Sequence, residues 1–177
     1  GMFEIAEVLV ALDHMEEARH ELERLRTAGT KPDEVARRLA VLAYQGGDFD
    51  EAQRRFTDLV TEGQATDSAL LFLADIAARD GDVDAAIAGY RRLANSQLAV
   101  PARVRAAALL LARKDRAEAM TLLDDYATEK PKESFDIWIR KANLLAEHGE
   151  PDTALELLGA ALERHPNHPA LEYHRPG

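Results

Sequence analysis

The apolar positions of this chain step at helical spacing, and the same pair of stripes returns along its whole length. Ala52, Phe56 and Leu59 advance by four and then three residues, as one buried face of a helix does. Ala18, Leu22 and Leu25 repeat that step, as do Ala86, Tyr90 and Leu93, then Ala119, Leu123 and Tyr126, then Ala154, Leu158 and Ala161. The leading alanines recur at intervals of 34, 34, 33 and 35 residues. A fixed period in this range is the mark of stacked supersecondary units. Ahead of each of these helices lies a second stripe: Ile5, Ala6 and Leu9; Ala36, Leu39, Ala40 and Ala43; Leu70, Leu73, Ala74 and Ala77; Val104, Ala107, Ala108 and Leu111; Trp138, Ala142 and Leu145. The pattern therefore predicts two helices per unit.

Polar punctuation separates the two. Gly46-Gly47 ends one helix, because glycine accepts the left-handed conformation after a helix C-terminus, and Asp48 with Glu51 opens the next. Gly81-Asp82 and Gly149-Glu150 repeat the device. Asp13 with Glu16 reads as a capping box for the first copy, and Arg113-Lys114-Asp115, lacking the glycine in a unit one residue short, predicts a tighter or distorted turn. Pro32, Pro101, Pro131 and Pro151 mark unit or helix starts, where the missing amide costs nothing. Lys141 stands where the second and third units have leucine, so it must extend its stem along the core or the stripe must shift. The units are expected at 3–30, 31–65, 66–98, 99–130 and 131–166 of a single array over 1–177, with 167–177 an incomplete sixth unit or tail.

Together these residues resemble the tetratricopeptide repeat. That motif has a large then a small residue in its first helix, a Gly-Asp-aromatic turn, alanine then an aromatic in the second helix, and a closing proline. Here they are Trp138 and Ala142, Leu73 and Ala74, Gly47-Asp48-Phe49, Ala52 and Phe56, Ala86 and Tyr90, Pro131 and Pro166. The resemblance covers essentially the whole chain. It implies an all-α, right-handed superhelical solenoid of antiparallel helix–turn–helix units and a non-catalytic scaffold that binds a protein or peptide partner. It also implies a groove lined by the first helices of successive units. Ala-, Leu- and Arg-rich repeats of this kind look bacterial, and similar arrays occur in cell-envelope lipoproteins as well as in cytoplasmic scaffolds, with the envelope the preferred expectation.

Composition narrows the partner. Asp plus Glu total 32 against 22 Lys plus Arg, a formal charge of −10. That argues against non-specific binding to nucleic acid or to an anionic membrane, which needs clustered positive charge. No apolar run is long enough to span a membrane. With no cysteine, thiol catalysis, disulfides and thiolate metal sites are excluded. Gly1 before Met2 reads as a cleavage scar, and apolar ends suggest an excised fragment.

Candidate binding residues flank the core stripe of the first helices at i, i+4, i+7 spacing. They are Arg37, Val41 and Tyr44; Leu71 and Asp75; Arg105 and Leu109; Ile139 and Asn143; and Arg79, Arg113 and Arg140 flank this line. Arginine forks would hold partner carboxylates while Val41, Tyr44, Leu71 and Leu109 meet apolar side chains. The bland alternative is that the arginines solvate a helix face and pair with Glu34, Asp75, Asp136 or Glu147. Some family members clamp a C-terminal carboxylate with lysine and asparagine on these helices; Asn143 matches, but Ile139 stands at the lysine position. The tail histidines His165, His168 and His174 read as a turn around two prolines, and no metal site or cofactor is expected. No phosphate loop, serine elbow or HExxH helix is present, so the chain reads as no enzyme. Two alternative roles are a structural segment that stacks or dimerises through its terminal faces, and the targeting arm of a larger enzyme.

Overall fold

The computed structural model describes residues 1–164, in which ten α-helices and one 3₁₀ turn account for the regular structure. They form two compact units, Gly1–Gly89 and Tyr90–Gly177. The first contains α1 (Glu4–Ala11), α2 (Met15–Thr27), α3 (Pro32–Gln45), α4 (Phe49–Thr61), α5 (Asp67–Arg79) and most of α6 (Val83–Arg92). The second contains the end of α6, α7 (Ala99–Ala112), α8 (Arg116–Glu129), the 3₁₀ turn Pro131–Glu133, α9 (Ser134–Glu147) and α10 (Pro151–Arg164). The tail expected to begin a sixth unit lies outside the described residues.

One turn geometry joins every first helix to its partner. The amide after the turn residue reaches back to the carbonyl five positions earlier: His14 to Leu9 at 2.8 Å, Asp48 to Ala43 at 2.9 Å, Asp82 to Ala77 at 2.9 Å, Asp115 to Leu110 at 2.8 Å and Glu150 to Leu145 at 2.8 Å. This is the bond that closes a helix when the next-to-last residue turns left-handed. Gly47, Gly81 and Gly149 do so with φ of 83°, 83° and 87°, and Asp13 and Lys114 do so with φ of 61° and 66°.

Two expectations change as a result. Asp13 is the left-handed turn residue rather than a cap; His14 occupies the cap position of α2 and makes no side-chain cap bond. The Lys114 turn is neither tighter nor distorted, because Ala107 precedes it by the same seven residues that separate Ala40 from Gly47. The missing residue is absorbed earlier, where α6 has 10 residues against 13 in α4. Elsewhere the caps form as read: Asp48 Oδ1 accepts from the Glu51 amide at 3.1 Å, and Asp82 Oδ1 from the Ala85 amide at 3.2 Å.

Small residues sit where paired helices meet. Ala6, Ala40, Ala74, Ala107 and Ala142 on first helices are buried, as are Ala18, Ala52, Ala86, Ala119 and Ala154 on second helices. At Gly89 the approach is close enough that an added Cβ would lie 2.9 Å from the Ala74 Cβ. Larger side chains fill the space around these crossings. In the first unit Leu22, Leu25, Val35, Leu39 and Leu42 form one cluster, and Phe56, Leu59 and Ile76 with Ala69 form another.

First helices are buried over a wider arc than the stripes predicted. Val35, Leu42 and Ile76 are core residues of the first unit, and Leu110, Phe135, Ile137 and Leu144 of the second. The reason is that α3 packs on α2 as well as on α4, and α9 on α8 as well as on α10. A second apolar edge is needed to meet the preceding pair. Conversely, Leu70, Leu73, Val104, Trp138 and Leu158 are only partly buried. Lys141 does extend its stem: its side chain is 14% exposed and Nζ reaches Asp124 Oδ1 at 2.7 Å.

Candidate functional site

Polar groups inside the fold are committed to holding it. Glu51 is buried and accepts from Arg19 at 2.8 Å and Arg55 at 2.9 Å, and Arg55 also reaches Glu23. Buried Arg103 donates from Nε to the Ala94 carbonyl at 2.8 Å, from Nη1 to the Leu122 carbonyl at 2.7 Å and from Nη2 to Asn95 Oδ1 at 3.2 Å. Its guanidinium also lies 5.2 Å from the Tyr126 ring. Burial, with a hydrogen bond to the Glu133 carboxylate, pushes the Tyr126 phenol up to about 12. At the surface Arg116 pairs with Glu150 at 2.9 Å and holds that carboxyl below the usual glutamate value. Among the described residues no buried side-chain nitrogen or oxygen lacks a hydrogen-bond partner. Each of these groups is engaged by a structural partner.

The accessible positions of the first helices are a different matter. In the first unit an open cleft of about 340 Å³ lies between α1 and α3. Ala6, Glu7 and Val10 line it from α1, and Arg37, Arg38 and Val41 from α3, with Leu22 of α2 beside them. Two of the sequence-predicted residues, Arg37 and Val41, thus share one cleft. The other depressions along α2 and along α4 are lined mainly by charged side chains. A smaller recess among α2, α3 and α4 sets Met15, Leu39 and Leu42 beside Arg19 and Arg55, but Glu51 holds both of those arginines; the α1–α3 cleft also joins an apolar wall to a cationic rim.

Those cations are not bare. Arg37 pairs with Glu34, and Arg38 donates to Glu34 at 2.9 Å and to Glu7 at 2.9 Å while stacking 4.2 Å over the Phe3 ring. The expected pairing of arginine with Glu34 is therefore present. Because these pairs are half-exposed, each contributes little to stability and can exchange for an incoming carboxylate.

Tyr44 and Arg79 are tied into an aromatic cluster. The Tyr44 ring meets Phe49 edge-on at 5.3 Å and Phe72 at 4.9 Å, Phe72 stacks on Phe56 at 4.8 Å, and Arg79 lies 4.0 Å over Phe49. Leu71 and Asp75 on α5, the helix that carries Phe72 and Arg79, are both half-buried. In the second unit Arg105, Arg113, Arg140 and Asn143 are exposed and Leu109 is half-buried. Ile139 packs beside Phe135 and Ala161. Helices α7 and α9, which carry these residues, touch directly.

Phe3, Glu7 and Val10 were missed by the sequence reading although the signal was available. They stand 34 residues before Arg37, Val41 and Tyr44. Treating α1 as a degenerate copy hid that they belong to the same surface.

Two profiles, each described as tetratricopeptide repeat, match the chain, one over residues 3–52 and 37–99 and the other over 110–173. No curated protein matches the sequence. Among solved structures, a MamA protein is similar at a TM-score of 0.69 and 15% identity, over 97% of this chain and 93% of that one. Repeats of a putative kinesin light chain from Podosopora anserina are similar at a TM-score of 0.71 and 16% identity, over 93% and 92%. YrrB, described as a TPR protein with an unusual peptide-binding site, is similar at a TM-score of 0.61 and 15% identity, over 94% and 86%. At these identities the likeness is one of fold. With buried alanines and left-handed turns recurring in phase and the repeat profiles spanning most of its length, the chain belongs to the tetratricopeptide repeat family.

Proposed function

We propose that this chain is a non-catalytic interaction scaffold that holds an extended or helical partner segment against its first helices. The observation that carries the reading is the α1–α3 cleft, in which Arg37 and Val41 line an apolar recess while the repeated residues around them are spent on packing. An apolar partner side chain would enter between Val10 and Val41, and a flanking carboxylate would compete with Glu7 and Glu34 for Arg37 and Arg38. Arg105, Leu109, Arg113, Ile139, Arg140 and Asn143 would offer an equivalent surface on α7 and α9. Leu71, Asp75 and the cluster-held Tyr44 and Arg79 would do so on α3 and α5. Support comes from the family, whose members characteristically bind protein segments.

The test is selection of a displayed random-peptide library on the full chain, followed by titration of the enriched peptides. They should carry an apolar anchor beside an acid, and bind at least about tenfold more weakly to Val41→Asp or Arg37→Glu, or to Arg105→Glu for a second-unit site. Enriched peptides indifferent to all three substitutions would overturn the reading.

A further inference from the structure

Arg37 and Arg38 both line the α1–α3 cleft, yet they are held differently. Arg37 pairs with Glu34 of its own helix, and its side chain is 45% exposed. Arg38, 32% exposed, crosses from α3 to α1. Its Nε donates to Glu34 Oε1 at 2.9 Å, on α3. Its Nη1 donates to Glu7 Oε1 at 2.9 Å, and its guanidinium stacks 4.2 Å over the ring of Phe3, the residue before α1. Each contact alone is weak. Together they hold one planar group at two edges and on one face, so the distance that it spans is fixed as well.

One unit later the same repeat position makes another kind of link. Phe72 stands 34 residues after Arg38. Its ring meets Tyr44, on the preceding first helix, at 4.9 Å and stacks on Phe56 at 4.8 Å. An apolar ring thus packs directly against its neighbours between α3 and α5. Between α1 and α3 a cation with two carboxylates reaches over a cleft of about 340 Å³.

We propose that Arg38 is the strut that sets the width of the α1–α3 cleft, and with it the size of the apolar side chain that the cleft accepts. The inference rests on the reading of that cleft as a partner site. Within that reading, carboxylate exchange falls mainly to Arg37, which has one acid to give up. Arg38, held by two acids and a ring, is a positioning residue that keeps the α1 wall in place.

The experiment takes the tightest Val41-sensitive peptide from the library selection and replaces its apolar anchor in turn by Val, Leu, Phe and Trp. Each peptide is titrated against the full chain and its variants. Against the unaltered chain the best and worst anchors should differ by at least about tenfold, because a fixed wall cannot adjust to a change in volume. Arg38→Met keeps the stem but releases the wall, and should shrink that spread to about threefold or less. Phe3→Leu should shrink it too, although Phe3 does not line the cleft, whereas Phe3→Tyr, which keeps the ring face, should preserve the ranking. Arg37→Glu should weaken all the peptides alike, as partial unfolding would, and thermal melts separate those two causes. Val41-sensitive peptides whose ranking survives both Arg38→Met and Phe3→Leu would overturn the strut and leave the cleft reading standing. A selection that yields no Val41-sensitive peptide would overturn both.

Discussion

Gly89 shows how much of the fold rests on single side-chain volumes. A methyl there would press to 2.9 Å on the Ala74 Cβ, an atom anchored to backbone that cannot swing away. Overpacking costs about 1–3 kcal/mol, against a gain of up to about 1 kcal/mol from better helix propensity. Gly89→Ala should therefore lower stability by roughly 1 kcal/mol in urea unfolding despite adding a better helix former. Tyr126 gives a second residue-scale expectation. Its phenol is raised from 10.0 to about 12, chiefly by burial and then by Glu133. A group whose folded pKa exceeds its unfolded one contributes stability fully present below the unfolded value and lost as pH rises through the folded one. The alkaline limb of stability should thus fall between about pH 10 and 12, and Tyr126→Phe should remove that part of the dependence. Phenolate absorbance, compared with and without Tyr126, measures the titration directly.

At the scale of elements, the turn and the buried arginine carry the sharpest expectations. Lys114 holds φ of 66° in a turn that uses glycine at Gly47, Gly81 and Gly149. A left-handed non-glycine residue costs about 1–2 kcal/mol, partly offset by the lower unfolded entropy of lysine, so Lys114→Gly should stabilise by up to about 1 kcal/mol. Arg103 ties the segment before α7 to α8 through two carbonyls and Asn95. Arg103→Met should cost about 3 kcal/mol by leaving those acceptors buried and unpaired, and Arg103→Lys should not restore it, because an ammonium cannot span three acceptors in one plane. Both are read by chemical unfolding. These elements also mark the limit of what the sequence discloses. The period, the paired helices, the crossing alanines and the second-helix stripes were legible because each is local and repeated. The double-sided burial of α3 and α9, the Gly89 contact and the Arg103 staple were not, because each depends on a neighbour brought close only by folding. Lys114 misled for the opposite reason: a glycine-free turn looked unusual, yet the closing hydrogen bonds impose the same geometry on lysine.

At the scale of the whole molecule, repetition separates positions that build from positions free to vary. The alanines, turns and stripes recur in phase. The accessible first-helix residues do not, changing from Arg37 and Val41 to Leu71 and Asp75, to Arg105 and Leu109, to Ile139 and Asn143. A net charge of −10 disfavours acid-rich partners, so the acid expected in a bound segment has to be met locally by the arginines of these helices. The candidate surface was half legible: Arg37 and Val41 were named from helical spacing on helices that the family resemblance singled out, whereas the α1 wall of their cleft required the structure. The most direct measurement of the central claim compares the affinity of the tightest selected peptide for Val41→Asp, on the cleft, and for Gln53→Asp, exposed on α4. A loss of at least about tenfold at Val41 with no change at Gln53 is predicted; equal effects at both positions, or an effect at Gln53 alone, would contradict it.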